Sequence, residues 1–133
     1  MALWGVGDPG NVGTILRSAL AFGAGSVALG PGSADPYGHK AVRASMGAIF
    51  SVPVVRVRGV DELPGRRVAL AAGEGRPLTE LQERDVTLVV GAERDGLPDT
   101  VLAGCDEVCH IPIASESLNA AMAATVAMYE VSR

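Results

Sequence analysis

Short apolar runs alternate along the whole chain with stretches in which apolar positions recur every third or fourth residue. The runs predict strands at Ala2–Val6, Ser26–Leu29, Val52–Val57, Arg67–Ala71, Val86–Val90 and Glu107–Ile111. Two of these, VTLVV and RVALAA, are apolar on both faces, as strands covered on both sides must be. Helical spacing predicts Val12–Phe22, His39–Ile49, a short Leu78–Glu83, a brief turn around Asp99–Ala103, and Leu118–Val131. Strand–helix alternation with short connectors predicts an α/β domain built on a parallel sheet. There is no internal repeat, and no linker marks a second domain.

The last helix reads in two ways. Ala120, Ala121, Ala123, Ala124 and Ala127 leave little side chain, whereas Leu118, Met122, Val126 and Tyr129 form an apolar stripe. Such a helix packs closely on its own sheet, or its small residues admit a helix from another subunit.

Composition narrows the class. With 48% apolar and 20% charged residues in 133, disorder is excluded and a real core is expected. The formal net charge of −4 argues against a domain that simply clamps nucleic-acid phosphates. No apolar run approaches the roughly 18–20 residues that span a bilayer, and no secretory signal pattern opens the chain. Cys105 and Cys109 are too few for a disulfide framework, which points to a reducing, cytoplasmic setting. Cys105-x-x-x-Cys109-His110 matches neither haem attachment nor a four-ligand zinc site, so no metal is expected.

Three loops carry candidate chemistry. In the first, GVGDPG satisfies G-x-G-x-x-G in letters. Pro9-Gly10 reads as a turn that delays the following helix to about Asn11, which can cap it. The chain also lacks room for a dinucleotide fold with a substrate domain. What remains is a glycine-rich strand-to-helix turn suited to an anion, with Arg17 nearly two turns into the helix. The second loop, Leu88–Pro98, leaves a buried strand through Gly91, Glu93 and Gly96, where open α/β sheets bind ligands. The third runs from Ile111 to Ala124. There Ser117 can cap the last helix, Leu118 and Asn119 open it, and both polar groups suit positioning better than proton abstraction. A nucleophilic serine needs a base, and the only histidines are His39 and His110. His110, in a strand of alternating character, reads as a half-buried structural residue.

Taken in order, Asn11-x-Gly13-x-x-x-Arg17, then the strand exit with Gly91, Glu93, Gly96 and Leu97, then Ile111-Pro112 with Ser117-Leu118-Asn119, resemble three motifs. These are the motifs of the SpoU (TrmH-like) RNA ribose 2′-O-methyltransferases of the SPOUT superfamily. Lys40–Val54 is similar to the region between the family's first two motifs, so the resemblance runs from about Leu3 to Tyr129.

The resemblance implies a parallel-sheet α/β fold with a C-terminal deep trefoil knot. Many members carry a separate N-terminal RNA-recognition domain; because the first predicted strand opens this sequence, the expectation is a single catalytic, cofactor-binding domain over 1–133 without one. The resemblance also implies S-adenosylmethionine as cofactor, with Val90, Gly91, Gly96, Ile111, Ile113, Leu118 and Asn119 binding it. The catalytic set carried over is Arg17, Asn11, Glu93, Ser117 and Asn119, and the residues for RNA are Arg17, Lys40 and Arg43. The implied reaction is methylation of a ribose 2′-OH in rRNA or tRNA by a homodimer whose active site is shared across the interface. The Ala-rich last helix then lies where such a contact forms. Arg17 either activates the hydroxyl or holds the neighbouring phosphate. A catalytically weak binding module, or a fragment of a larger methyltransferase, is the alternative.

Overall fold

In the computed structural model, which describes residues 1–133, the apolar runs assemble into one seven-stranded sheet in which every paired strand is parallel. The strands are β1 (Ala2–Trp4), β2 (Val27–Leu29), β3 (Val54–Arg56), β4 (Arg66–Leu70), β5 (Arg76–Pro77), β6 (Val86–Gly91) and β7 (Glu107–His110). Their order is β3-β2-β1-β6-β4-β7-β5. The helices are α1 (Pro9–Ala21), α2 (His39–Ala44), α3 (Asp99–Gly104) and α4 (Ala120–Ser132). None is long and apolar enough to cross a membrane.

Alternation along the strands divides the core between the two faces. Leu3, Val27, Leu29, Val68, Leu88 and Val90 point to one side, against Ile15 and Leu16 of α1 and Ala121, Ala124 and Met128 of α4. Trp4, Ala28, Ala69 and Val89 point to the other, against Leu63, Leu97 and Val101. Cys109 belongs to the first cluster and Cys105 packs on the second, so the two thiols lie on opposite sides of the sheet. Burial raises the pKa of both.

Several boundaries differ from expectation for identifiable reasons. Asp8, not Asn11, caps α1: its carboxylate accepts the Gly10 N–H at 2.8 Å. Pro9 fills the first turn, where its missing N–H is harmless, so Pro9-Gly10 opens the helix instead of delaying it. Asn11 sits inside that turn. Helix α2 stops at Ala44 because Met46 (φ 49°) and Gly47 (φ 87°) turn left-handed, and the expected continuation becomes a 3-10 turn, Ala48–Phe50. The predicted helix Leu78–Glu83 is a single 3-10 turn, Leu78–Glu80. It follows β5, a two-residue edge strand too short to produce a sequence pattern.

Helix α1 is clamped on two sides. A Cβ at Gly13 would collide with the Ala41 carbonyl and lie 2.7 Å from Ala44 Cβ, so only glycine lets α1 meet α2 there. Toward α4, Thr125 donates its single hydroxyl proton to the Ala121 carbonyl at 2.7 Å. Ser18 must therefore be the donor in the 2.6 Å bond between the two hydroxyls.

Candidate active site

The carboxyl ends of β4, β6 and β7 open into a cavity of about 720 Å³, a size typical of small-molecule sites. Its walls come from Leu70–Ala72 after β4, Val90–Leu97 after β6, and the loop from Ile111 to Leu118 with Ala120 and Ala123 of α4. This is where an open parallel sheet collects ligand-binding loops, because the strands end together on one side. The walls are apolar at Leu70, Val90, Leu102, Ile111, Ile113 and Leu118. Carboxylates of Glu74, Glu93, Asp95, Asp99 and Glu116 surround them, against a single cation, Arg94.

The loop after β6 has a defined shape. Gly96, at φ 62°, donates its N–H to the Ala92 carbonyl at 2.9 Å and closes a tight hairpin. A Cβ on Gly91 would lie 2.5 Å from the Gly96 carbonyl. The close approach that Gly91 permits is thus made by the protein's own backbone, and it leaves Glu93 projecting from the hairpin.

Glu93 ties the three loops together. Its Oε1 accepts from Asn11 Nδ2 at 2.8 Å and from Asn119 Nδ2 at 2.7 Å, with the Ala120 N–H at 3.5 Å. Asn119 is the cap of α4: its Oδ1 accepts the N–H groups of Ala121 (2.8 Å) and Met122 (3.2 Å). That duty fixes the amide, because the oxygen must face the helix and the nitrogen must face Glu93. Asn11 Oδ1 then meets the same nitrogen at 3.3 Å. Glu93 also places its charge at the positive end of α4.

The expected site residues fall into three groups. Val90, Gly91, Gly96, Ile111, Ile113, Leu118, Ser117 and Glu93 line the cavity. Asn11 and Asn119 do not line it but meet Glu93 at its edge. Arg17, Lys40 and Arg43 are exposed on α1 and α2 and are not among its walls. Ser117 is in the loop ahead of α4 and does not cap it, and Leu118 and Asn119 precede the helix instead of opening it. His110 is half-buried and pairs through Nδ1 with the Glu74 carbonyl at 3.1 Å, while His39 is exposed on α2. No serine–histidine pair is assembled. Glu74, Asp99 and Leu102 also line the cavity, yet they lie outside the three motif loops, where no local pattern marks them.

The fold and site together define a parallel α/β domain with a small-molecule cavity at its strand ends, at whose edge two amides meet one carboxylate. The chain belongs to the SpoU rRNA methylase family, whose model matches residues 1–129. Among similar proteins, the 23S rRNA (guanosine(2553)-2′-O)-methyltransferase RlmP of Bacillus subtilis (strain 168) is 38% identical over 95% of this chain and 54% of its own length. A 23S rRNA (uridine(2479)-2′-O)-methyltransferase of Streptomyces viridochromogenes is 36% identical over 95% of this chain and 49% of its own. The SpoU methyltransferase AviRb of Streptomyces viridochromogenes, solved in complex with AdoMet, superposes with a TM-score of 0.91 at 33% identity. That match covers 99% of this chain and 56% of AviRb. The chain spans about half the length of the curated relatives it matches.

Proposed function

We propose that residues 1–133 form the catalytic domain of an S-adenosylmethionine-dependent RNA methyltransferase acting on a ribose 2′-OH of rRNA or tRNA. The observation that carries this reading is the convergence of Asn11, Glu93 and Asn119, from three separate motifs, at the rim of the cavity. Membership of the family and the likeness to an AdoMet-bound relative support it. The cavity's chemistry fits the cofactor: apolar walls suit an adenine ring, and the five surrounding carboxylates suit a sulfonium and an ammonium. Val90, Gly91, Gly96, Ile111, Ile113 and Leu118 would hold it, with Asn119 fixing the start of α4 beside it.

When bound, S-adenosylmethionine supplies a methyl group already made electrophilic by its sulfonium. The protein's part is to align the ribose oxygen with that carbon, the hydroxyl proton being released to solvent water. Ser117, which lines the cavity wall, orients the ribose in this reading. Asn11, Glu93 and Asn119 hold the loops around it. Arg17, whose planar guanidinium is a fork of donors suited to phosphate oxygens, acts by holding the phosphate next to the reacting hydroxyl. Since Arg17 does not line its own chain's cavity, it serves a site shared with a second copy. The exposed stripe Met122, Val126 and Tyr129, at 61%, 43% and 53% exposure, is the surface on which that copy docks. We read the C-terminal passage as the family's deep trefoil knot, a reading supported by β6 lying between β1 and β4 and by β7 lying between β4 and β5.

Labelled methyl transfer to total RNA, followed by nucleoside mapping, tests the reading directly. Wild-type chain is expected to label a 2′-O-methyl nucleoside, and Arg17→Ala and Asn119→Ala to lose on the order of 100-fold or more in rate. Robust transfer by both variants would overturn the site assignment. A second reading is a domain that binds cofactor but turns over poorly alone. Calorimetric cofactor binding without transfer to any RNA pool selects that one.

A further inference from the structure

Charge is unevenly divided along the chain. Residues 1–58 carry five Lys and Arg against two Asp, and residues 59–133 carry six against thirteen acidic residues. The cations also differ in what they touch. Arg66, Arg76 and Arg133 are ion-paired, and Arg67 and Arg84 donate to backbone carbonyls. Arg17, Lys40, Arg43, Arg56 and Arg58 make no side-chain ion pair or hydrogen bond within the chain, and of the other six cations only Arg94, at the cavity, shares that state. Four of these five lie in residues 36–60, a segment with no carboxylate.

The fold gathers Arg17, Lys40, Arg43 and Arg56 on one face. Gly13 meets Ala41 and Ala44, so Arg17, one turn further along α1, emerges on the α2 side. On α2, Ala41 is buried while Lys40 and Arg43 are exposed three residues apart. The chain then turns through Met46 and Gly47 into Ala48–Phe50, leaving Met46 70% and Phe50 85% exposed. In the edge strand β3, Arg56 is in register with Leu29, whose side chain shares a core cluster with Ile49 and Val52. Arg56 therefore leaves the sheet on the same side as this turn.

We propose that this face, from Arg17 across α2 and the Ala48–Phe50 turn to β3, holds a single-stranded stretch of RNA flanking the target nucleotide. Phe50 stacks on a base, while Arg43 and Arg56 meet phosphates. The inference rests on the RNA methyltransferase reading above. An aromatic ring this exposed is a stacking partner for an unpaired base, whereas bases in a duplex already stack on each other. Beyond Arg17, which reaches the shared site, a second copy of the chain is a poorer occupant of the face, because a two-fold contact there would bring Lys40, Arg43 and Arg56 against their own copies.

Fluorescence polarisation of the chain with labelled RNA of about 12 nucleotides, single-stranded and as a duplex, reads the proposal. Single-stranded RNA is expected to bind more tightly than the duplex. Phe50→Ala is expected to weaken single-strand binding between about 5-fold and 100-fold, and Phe50→Trp to restore it. Arg56→Gln should lower the slope of log affinity against log salt by about 0.7, which Phe50→Ala leaves unchanged. No measurable single-strand binding at low salt, wild-type affinity in Phe50→Ala, or a preference for duplex overturns the proposal. So does a Phe50→Ala change seen only in sedimentation, which would make the face an interface between copies. Calorimetry with S-adenosylmethionine separates the two levels. A wild-type chain that binds no cofactor fails the methyltransferase reading, whereas cofactor binding with an inert Phe50 fails this inference alone.

Discussion

At the scale of single residues, the site depends on one carboxylate oxygen that takes donors from positions 82 and 26 residues away. Asn119 does two jobs with one amide, and substitutions separate them. Asn119→Ser keeps a capping oxygen and loses the donor to Glu93, whereas Asn119→Asp keeps the cap and sets a second carboxylate against Glu93. Like charges at that distance push one of the pair's pKa values up. The Asp variant should therefore be less stable than wild type by about 1–3 kcal/mol at pH 7. The penalty should shrink as pH falls through the raised pKa and the pair takes up a proton. Urea denaturation at neutral and mildly acidic pH measures it, and a pH-independent deficit would show that the two carboxylates do not meet. The residue types at Asn11, Glu93 and Asn119 were legible as polar groups at strand exits. Their bonding was not, since no local pattern reports that three distant loops share one oxygen.

At the scale of elements, helix α4 follows the first reading of its composition, its small residues packing on the chain's own core. Ala120, Ala121, Ala124 and Ala127 are buried against the protein, and Met122, Val126 and Tyr129 face outward. If the outer stripe joins two copies, Met122→Lys with Val126→Lys should shift the chain to monomer without unfolding it, as sedimentation equilibrium would report. An unchanged mass would remove the stripe from the interface. At the opposite edge of the sheet, Glu107 of β7 is gripped by Arg66 of β4, at 2.9 Å, and by Arg76 of β5. Hydrogen bonds from Arg66 and then Arg76 hold its carboxyl below the usual range. A lowered pKa in the folded state means that this stabilisation is complete above the unfolded value, about 4.3, and is lost as pH falls through the folded one. The Tm gap between wild type and Glu107→Gln should accordingly be full near neutrality and close below about pH 4. Element boundaries were misread where caps decide them. Asp8 and Pro9 start α1 early, Met46 and Gly47 stop α2 early, and none of these changes the apolar periodicity on which the expectations rested.

At the scale of the whole molecule, the net charge of −4 conceals a basic region and an acidic remainder. Binding of RNA by this chain alone should be weak, with a salt slope of only about −0.7 per phosphate met, because few phosphates can be met at once. Titration at low and at physiological salt checks this, and a flat salt response would mean that phosphate contacts contribute little. The sequence by itself determined the class of fold, since strands apolar on both faces can exist only between covering layers. It also determined which strand exits carry glycine and polar groups, because those residue types are read in place. Tertiary structure alone decided that β6 and β7 enter between earlier strands, which brings their exits beside that of β4 and forms the cavity. It alone decided that Asn119, and not Ser117, caps α4, and that Glu93 is the acceptor on which the loops meet. Pairing of distant strands and sharing of a hydrogen-bond acceptor depend on separations in space, and local periodicity carries no measure of those.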